Sequence, residues 1–183
     1  MQFINILNAD ATVQQQVRAL RNHRDVRRFM YSAHEISEEE HLNWLSSLLG
    51  STRQTVFVVM RDDALAGVVS LNAINTTHRT ADWAFYLDPE LQGKGLGSAV
   101  EFWMLDHAFN AAGLEKLNCE VLESNAAVVK MHQKFGFSVE GVRRQNIEKD
   151  GERVDVVLLG ITKDEWRVQR PAMLSLIERV SRQ

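Results

Sequence analysis

Three glycines at alternate positions, Gly93, Gly95 and Gly97, fall in the run Leu87-Asp88-Pro89-Glu90-Leu91-Gln92-Gly93-Lys94-Gly95-Leu96-Gly97-Ser98. A stretch of strand character, Trp83-Ala84-Phe85-Tyr86-Leu87, and an Asp88-Pro89 turn signal lead into it. Beyond it, Ser98 to Phe109 carries apolar residues at 99, 100, 103, 104 and 108, the spacing of one buried helical stripe. Glycines let successive backbone N–H groups converge, and a helix start adds unpaired donors and the positive end of its dipole. The chemistry of this combination is anion binding, and a phosphate or pyrophosphate is the expected guest. The run is not a P-loop, because no Gly-Lys-Ser/Thr closes it and Lys94 sits between glycines. The spacing also misses Gly-x-Gly-x-x-Gly, the dinucleotide fingerprint. On these residues alone, a plain turn that caps a helix is the competing reading.

The elements that must position this run can be read along the chain. Phe3 to Leu7 predicts a first strand, and Asn8, Asp10 and Thr12 are candidate caps for a helix from about Val13 to Asn22. Ser37-Glu38-Glu39-Glu40 is a capping box, with the serine hydroxyl facing a first-turn amide and Glu40 reaching back. Its helix is expected to bury Leu42, Leu45, Leu48 and Leu49 and to end at Gly50. Thr55 to Met60, Leu65 to Ala73 and Thr80 to Leu87 predict a meander whose first hairpin turns at Asp62-Asp63. After the glycine run and its helix, Leu117 to Leu122 reads as a strand, 125 to 135 as a short helix, and Phe137 to about Glu148 as an extended arm. Asp150-Gly151 turns the chain into Val154 to Ile161. A polar amphipathic helix from Lys163 to Arg182 follows, interrupted at Pro171. The expected organisation is one α/β (α+β) domain over 1–162, with a C-terminal helical extension over 163–183.

Composition bounds the possibilities. A chain of 183 residues suits one domain, and 45% hydrophobic with 25% charged residues is ordinary for a chain with a sizeable core. A net charge of -3 gives no global pull toward nucleic acid, and the basic stretch from Arg18 to Arg28 is read as a solvated helix and loop. The lone cysteine, Cys119, excludes an internal disulfide and lies in an apolar run, so a reduced core thiol is expected. No apolar run reaches the roughly 18 residues of a membrane span, and the N-terminus lacks a signal peptide's layout. A cytoplasmic location without a membrane partner is expected. Neither a Cys cluster nor a His pair at ligand spacing is present, and no metal is expected.

Gln92-x-x-Gly95-x-Gly97 resembles the acyl-CoA loop of the GCN5-related N-acetyltransferases. A later stretch, Leu117-x-Cys119-Glu120-Val121-x-x-x-Asn125-Ala126-x-x-Val129-x-Met131-His132-x-Lys134-x-Gly136-Phe137, is similar to that family's later strand and helix. The two motifs stand in the family's order, and the resemblance covers roughly 1–162. It implies a mixed sheet splayed around an acetyl-CoA site, with acetyl-CoA as cosubstrate. It implies CoA contacts from Leu87, Gln92, Gly93, Lys94, Gly95, Leu96, Gly97 and Ser98. Asn125 has two compatible readings, a helix N-cap and a bond to the CoA arm as in the family. Lys130 and Lys134 are placed for CoA phosphates, although lysines on a short helix are usually solvated.

The resemblance also implies a division of chemical labour. Acetyl transfer to an amine needs a neutral amine, and the departing thiolate benefits from a proton. Glu120 stands where related acetyltransferases carry a glutamate base, while a solvent-facing strand residue is its alternative. His132 stands where most of the family has a tyrosine acid. That is a departure, since an imidazole near pKa 6.5 is mostly neutral at neutral pH. A helix residue that only positions the cofactor is the alternative for His132.

A narrower resemblance lies in the N-terminal half, in Leu20-Arg21-Asn22-His23-x-Asp25-Val26-x-x-Phe29-Met30 and Ile36-x-x-Glu39-Glu40-His41-x-x-Trp44-Leu45. These stretches are similar to enzymes that N-acetylate the 4-amino group of a UDP-linked 4-amino-4,6-dideoxy sugar in pseudaminic acid biosynthesis. They imply a nucleotide-sugar acceptor. Phe29, Met30 and Tyr31 are candidates for an apolar wall against a uracil or deoxysugar methyl, with a hydrophobic loop anchored on the core as the alternative. His78 and Arg79 are candidate diphosphate contacts. Tyr86 faces either the acceptor or the core. Three functions are thus carried forward. They are a UDP-amino-sugar N-acetyltransferase, a ribosomal-protein-type N-terminal acetyltransferase, and a non-catalytic acyl-CoA binder. Whether the chain dimerises stays open.

Overall fold

The computed structural model of the chain describes residues 1–91 and 95–180, so Gln92, Gly93 and Lys94 of the glycine run lie outside the described residues. Seven strands form one mixed sheet in the order β1-β2-β3-β4-β5-β7-β6. They are β1 Gln2–Asn5, β2 Thr55–Arg61, β3 Ala64–Asn75, β4 Thr80–Leu87, β5 Lys116–Leu122, β6 Ser138–Lys149 and β7 Glu152–Thr162. The hairpin turns need left-handed backbone. Asp62 and Asp63 supply it between β2 and β3, and Asp150 with Gly151 between β6 and β7. All pairings are antiparallel except β4 with β5, which run parallel.

That one parallel pairing decides where a site can form. Its ladder holds at Thr80↔Lys116, Ala81↔Leu117 and Asp82↔Asn118 and goes no further. From Trp83 and Cys119 onward the two strands part, each still paired to its outer neighbour, β3 or β7. The sheet opens into a V, and the backbone groups lining it face a gap.

Side-chain alternation then gives the V two faces. Ala81, Trp83, Leu117, Cys119 and Val121 point into the main core, with α4 Leu96–Asp106, α5 Ala126–Lys134 and α6 Lys163–Val180 packed over them. On the opposite face Val17 of α1 Ala11–Asn22 and Leu45 and Leu48 of α3 Glu38–Leu48 pack with Ile6, Val56, Val58 and Val68. Tyr86 packs against this second cluster. The short α2 Arg24–Arg27 and the segment 28–36 connect α1 to α3.

Caps settle several local expectations. Of the three candidates for α1, Asp10 is the N-cap, accepting from Val13 N at 2.9 Å. The capping box of α3 is complete, with Ser37 N donating to Glu40 and Glu40 N to Ser37 Oγ. The expected burial of Leu42 and Leu49 is corrected, because they are 49% and 69% exposed. The buried stripe is His41, Leu45 and Leu48, and Leu42 lies about 100° off it. His41 is tolerated inside because its Nε2 meets the Gln14 carbonyl oxygen at 2.8 Å.

The expected interruption at Pro171 is corrected too, since α6 runs through it. A mid-helix proline forfeits one hydrogen bond and costs about 3 kcal/mol. Anchors around it oppose that cost. Trp166 is buried and its indole donates to Asp106 at 2.9 Å, while Arg170 forks onto the same carboxylate at 2.8 Å. Trp166 and Met173 belong to the main core. Among the described residues no helix is long and apolar enough to cross a membrane.

Candidate active site

One arm of the V ends in the anion-binding geometry expected from the glycines. Leu87 closes β4, and Gly95 is the N-cap of α4 with φ 74° and no side-chain cap bond. Leu96, Gly97 and Ser98 therefore present the first-turn amides, which have no partner within the helix. Crowding explains one glycine. A Cβ on Gly97 would stand 3.3 Å from Met131 Sδ and 3.7 Å from Leu87 Cδ1, so α4 lies hard against α5 and the end of β4. Bare amides, a dipole end and no side chain in the way fit a pyrophosphate. Asn125 is the N-cap residue of α5 by position, but its side chain makes no capping bond. Lys130 is exposed on that helix.

The second face of the V carries Glu120. Its side chain is 31% exposed and fully engaged. The Tyr31 hydroxyl donates to Oε2 at 2.5 Å, and Arg143 Nη1 of β6 donates to Oε1 at 2.5 Å. Burial pushes the Tyr31 phenol well up, and the bond to Glu120 adds to that. Tyr31, 89 residues away in sequence, thus joins the base candidate directly. A second carboxyl, Asp82, stands opposite Asn118 at the apex of the V and feels the charge of Glu120. Desolvation raises its pKa and the charge of Glu120 adds, against the Asn118 hydrogen bond and Arg143. A carboxyl held in this way is a stronger base than a solvated one.

His132 lies on the other face and inside the core, 2% exposed. Its ring meets Trp83 edge-on at 5.1 Å and tilts against Phe137 at 5.2 Å. Nδ1 stands 2.8 Å from Oε1 of Glu101, a carboxyl of α4 that is 0% exposed. Glu120 and His132 therefore lie on opposite faces of the sheet, Glu120 with Tyr31 and Arg143 and His132 against the rings of Trp83, Phe85 and Phe137.

The acceptor candidates separate. Met30 lends its carbonyl to Lys149 Nζ at 2.5 Å, and Phe29 stacks under Arg28 with 4.5 Å to the ring centroid. Tyr86 lies on the Glu120 face, its phenol pKa raised by burial and opposed by Arg21. His78 and Arg79 are not brought to the site, and that expectation is corrected. They sit in the β3–β4 turn at the closed end of the V, where Arg79 pairs with Glu115 at 3.1 Å. Glu120 is roughly 15 Å further along the strands, at about 3.3 Å per residue.

Sequence reasoning missed the cations of this face. Arg21 donates to the Ser32 carbonyl at 3.2 Å, and Arg27 donates to Ala33 at 3.1 Å and pairs with Glu35 at 3.2 Å. Lys149 also donates to the Arg27 carbonyl at 3.1 Å, and desolvation lowers its pKa and that of Arg21. Arg21 Nη1 and Arg27 Nε are buried without a hydrogen-bond partner among the described residues. Only the basic content of 18–28 signalled these groups, and it reads equally well as a solvated surface. Lys149 and Arg143 both come from β6, more than 100 residues later in the chain.

Relatives and solved structures agree with this architecture. The chain is 33% identical to the spermidine N(1)-acetyltransferase of Escherichia coli over 110 residues, 60% of this chain and 59% of that enzyme's length. It is 29% identical to the acetyltransferase PseH of Campylobacter jejuni over 119 residues, 65% of this chain and 73% of the other. The spermidine N-acetyltransferase of Vibrio cholerae, solved with CoA and spermine, superposes with a TM-score of 0.83 at 23% identity, covering 91% of this chain and 97% of that one. At that identity the likeness is one of fold. Residues 18–137 match the model of the acetyltransferase (GNAT) family, and the chain belongs to that family.

Proposed function

We propose that the chain is an acetyl-CoA-dependent N-acetyltransferase whose acceptor is the 4-amino group of a UDP-linked 4-amino-4,6-dideoxy sugar. The observation that carries this reading is the charge of the acceptor face. Arg21, Arg27 and Lys149 hold the carbonyls of 28–36, and Arg143 holds Glu120 beside them. A nucleotide sugar brings a diphosphate that guanidinium groups bind in a fork, and a uracil for the apolar side chains of Phe29 and Met30. A polyamine brings cations into the same field, where each like-charge approach to 4 Å costs about 4 kcal/mol at an effective dielectric of 20.

Acetyl-CoA supplies the acyl group, with its pyrophosphate on the first turn of α4 and Asn125 and Lys130 along its arm. Glu120 takes the proton of the attacking amine after exchanging its bond to Tyr31, the uncharged one of its two donors. Asp82 supports it as the adjacent carboxyl. His132 gives a proton to the departing sulfur from the other face.

A polyamine acceptor is the second reading, favoured by the 33% identity to the E. coli spermidine enzyme. Thiol release from acetyl-CoA decides between them, measured with the UDP-amino sugar, spermidine and a set of N-terminal peptides. Turnover on the sugar nucleotide is expected. Turnover on spermidine or peptides alone rejects the acceptor and keeps the acetyl-CoA half. CoA binding without turnover on any of the three rejects the enzyme reading in favour of an acyl-CoA-binding module.

A further inference from the structure

Glu101 has no part in the chemistry described so far, yet it is a carboxyl sealed inside the main core. Its side chain is 0% exposed and that of His132 is 3% exposed, with Oε1 2.8 Å from Nδ1. Oε2 has no hydrogen-bond partner among the described residues. A buried carboxylate with one oxygen unpaired is costly, whereas a carboxylic acid leaves only a neutral carbonyl oxygen unpaired. The aromatic rings of Trp83, Phe85 and Phe137 around His132 offer no compensating charge. The other titratable group facing Glu101 is Cys119 on β5, a thiol that burial pushes up and so keeps neutral.

We propose that Glu101 is a positioning residue: held as a carboxylic acid, it donates its proton to Nδ1 of His132 and thereby fixes the proton of the neutral imidazole on Nε2. With Nδ1 occupied as an acceptor, Nε2–H is the one donor left on the ring. Burial raises the pKa of Glu101, opposed by the bond to His132, in keeping with a neutral acid. The pair resolves the difficulty that a histidine stands where a donor is needed. As Nε2 gives its proton to the sulfur, the Glu101 proton passes onto Nδ1, so the ring stays neutral and the carboxyl is left as a carboxylate until it is reprotonated. The catalytic consequence rests on the acetyl-transfer reading above, but the protonation pattern does not.

The first test uses the wild-type protein and no substrate. Nitrogen-15 NMR of the imidazole near neutral pH is expected to show a protonated Nε2 and a bare Nδ1. A carboxylate at Glu101 would instead give a protonated Nδ1 or an imidazolium, and either result overturns the proposal. The second test is the pH profile of kcat. As pH rises through the raised folded pKa of Glu101 and the carboxyl ionises, the His132 proton shifts to Nδ1 and the donor is lost, so kcat is expected to fall by about a hundredfold. Glu101→Gln does not titrate and is expected to lack that limb, with the KM for acetyl-CoA unchanged. A limb that persists unaltered in E101Q overturns the catalytic role. Should E101Q fail to fold, the wild-type NMR pattern still decides. Should no acceptor turn over, the acetyl-transfer reading fails while the NMR result stands by itself.

Discussion

Glu120 accepts from both Tyr31 and Arg143, so one of its oxygens must exchange a partner before it can meet an amine. Tyr31 is the partner able to leave, because an uncharged phenol holds a carboxylate less tightly than the Arg143 guanidinium does. Glu120→Gln is expected to lower kcat by about a hundredfold with the KM for acetyl-CoA unchanged, read by thiol release. If Asp82 supports the base, Asp82→Asn added to that variant lowers the residual rate further, whereas an unchanged rate removes Asp82 from the reaction. Arg21→Met tests the acceptor face. It is expected to raise the KM for the nucleotide sugar by about tenfold, the scale of one charge-assisted hydrogen bond, and to leave acetyl-CoA binding alone.

Elements place these groups, and their local signals differ in reach. The capping box of α3 was legible because it involves four consecutive residues, and Ser37→Ala is expected to cost about 1 kcal/mol in a thermal or urea melt. Pro171 was misread because the contacts that hold α6 straight, Trp166 and Arg170 on Asp106, come from α4. Gly67 shows how one strand position governs the V. A Cβ there would stand 2.7 Å from the Tyr86 carbonyl oxygen and 2.5 Å from Leu87 Cδ2. Gly67→Ala is therefore expected to destabilise by roughly 1–3 kcal/mol and to weaken acetyl-CoA binding, since Leu87 is displaced beside Gly97. Isothermal titration with CoA checks the second effect, and retained affinity would separate the strand contact from the loop.

At the scale of the whole molecule, two kinds of carboxyl set opposite pH trends. Hydrogen bonds from Thr162 hold the Glu165 pKa down at the start of α6, and the Ser37 backbone does the same for Glu40. Their stabilisation is present above the unfolded value of about 4.3 and is lost as pH falls through the folded values. Glu101 runs the other way. Its raised folded pKa means that the folded state holds the proton more tightly, so stability declines as pH rises from about 4.3 through the folded value. Glu101→Gln is expected to gain stability relative to wild type as pH rises from about 4.3 up to the folded pKa of Glu101, as read by urea melts. By itself the sequence determined what depends on neighbours along the chain: the glycine run and its helix, the capping box, the succession of strands along the chain and the family resemblance. Alternation along β5 also separates Cys119 from Glu120, the one turned into the core and the other toward the acceptor face. Only the tertiary structure decided which distant groups meet. The end of the β4–β5 ladder at Asp82 and Asn118 opens the V, and that opening leaves His78 and Arg79 at its closed end. It brings Tyr31 and Arg143 to Glu120 and buries Glu101 against His132. Such pairings are set by packing between elements tens of residues apart, and no local propensity encodes them.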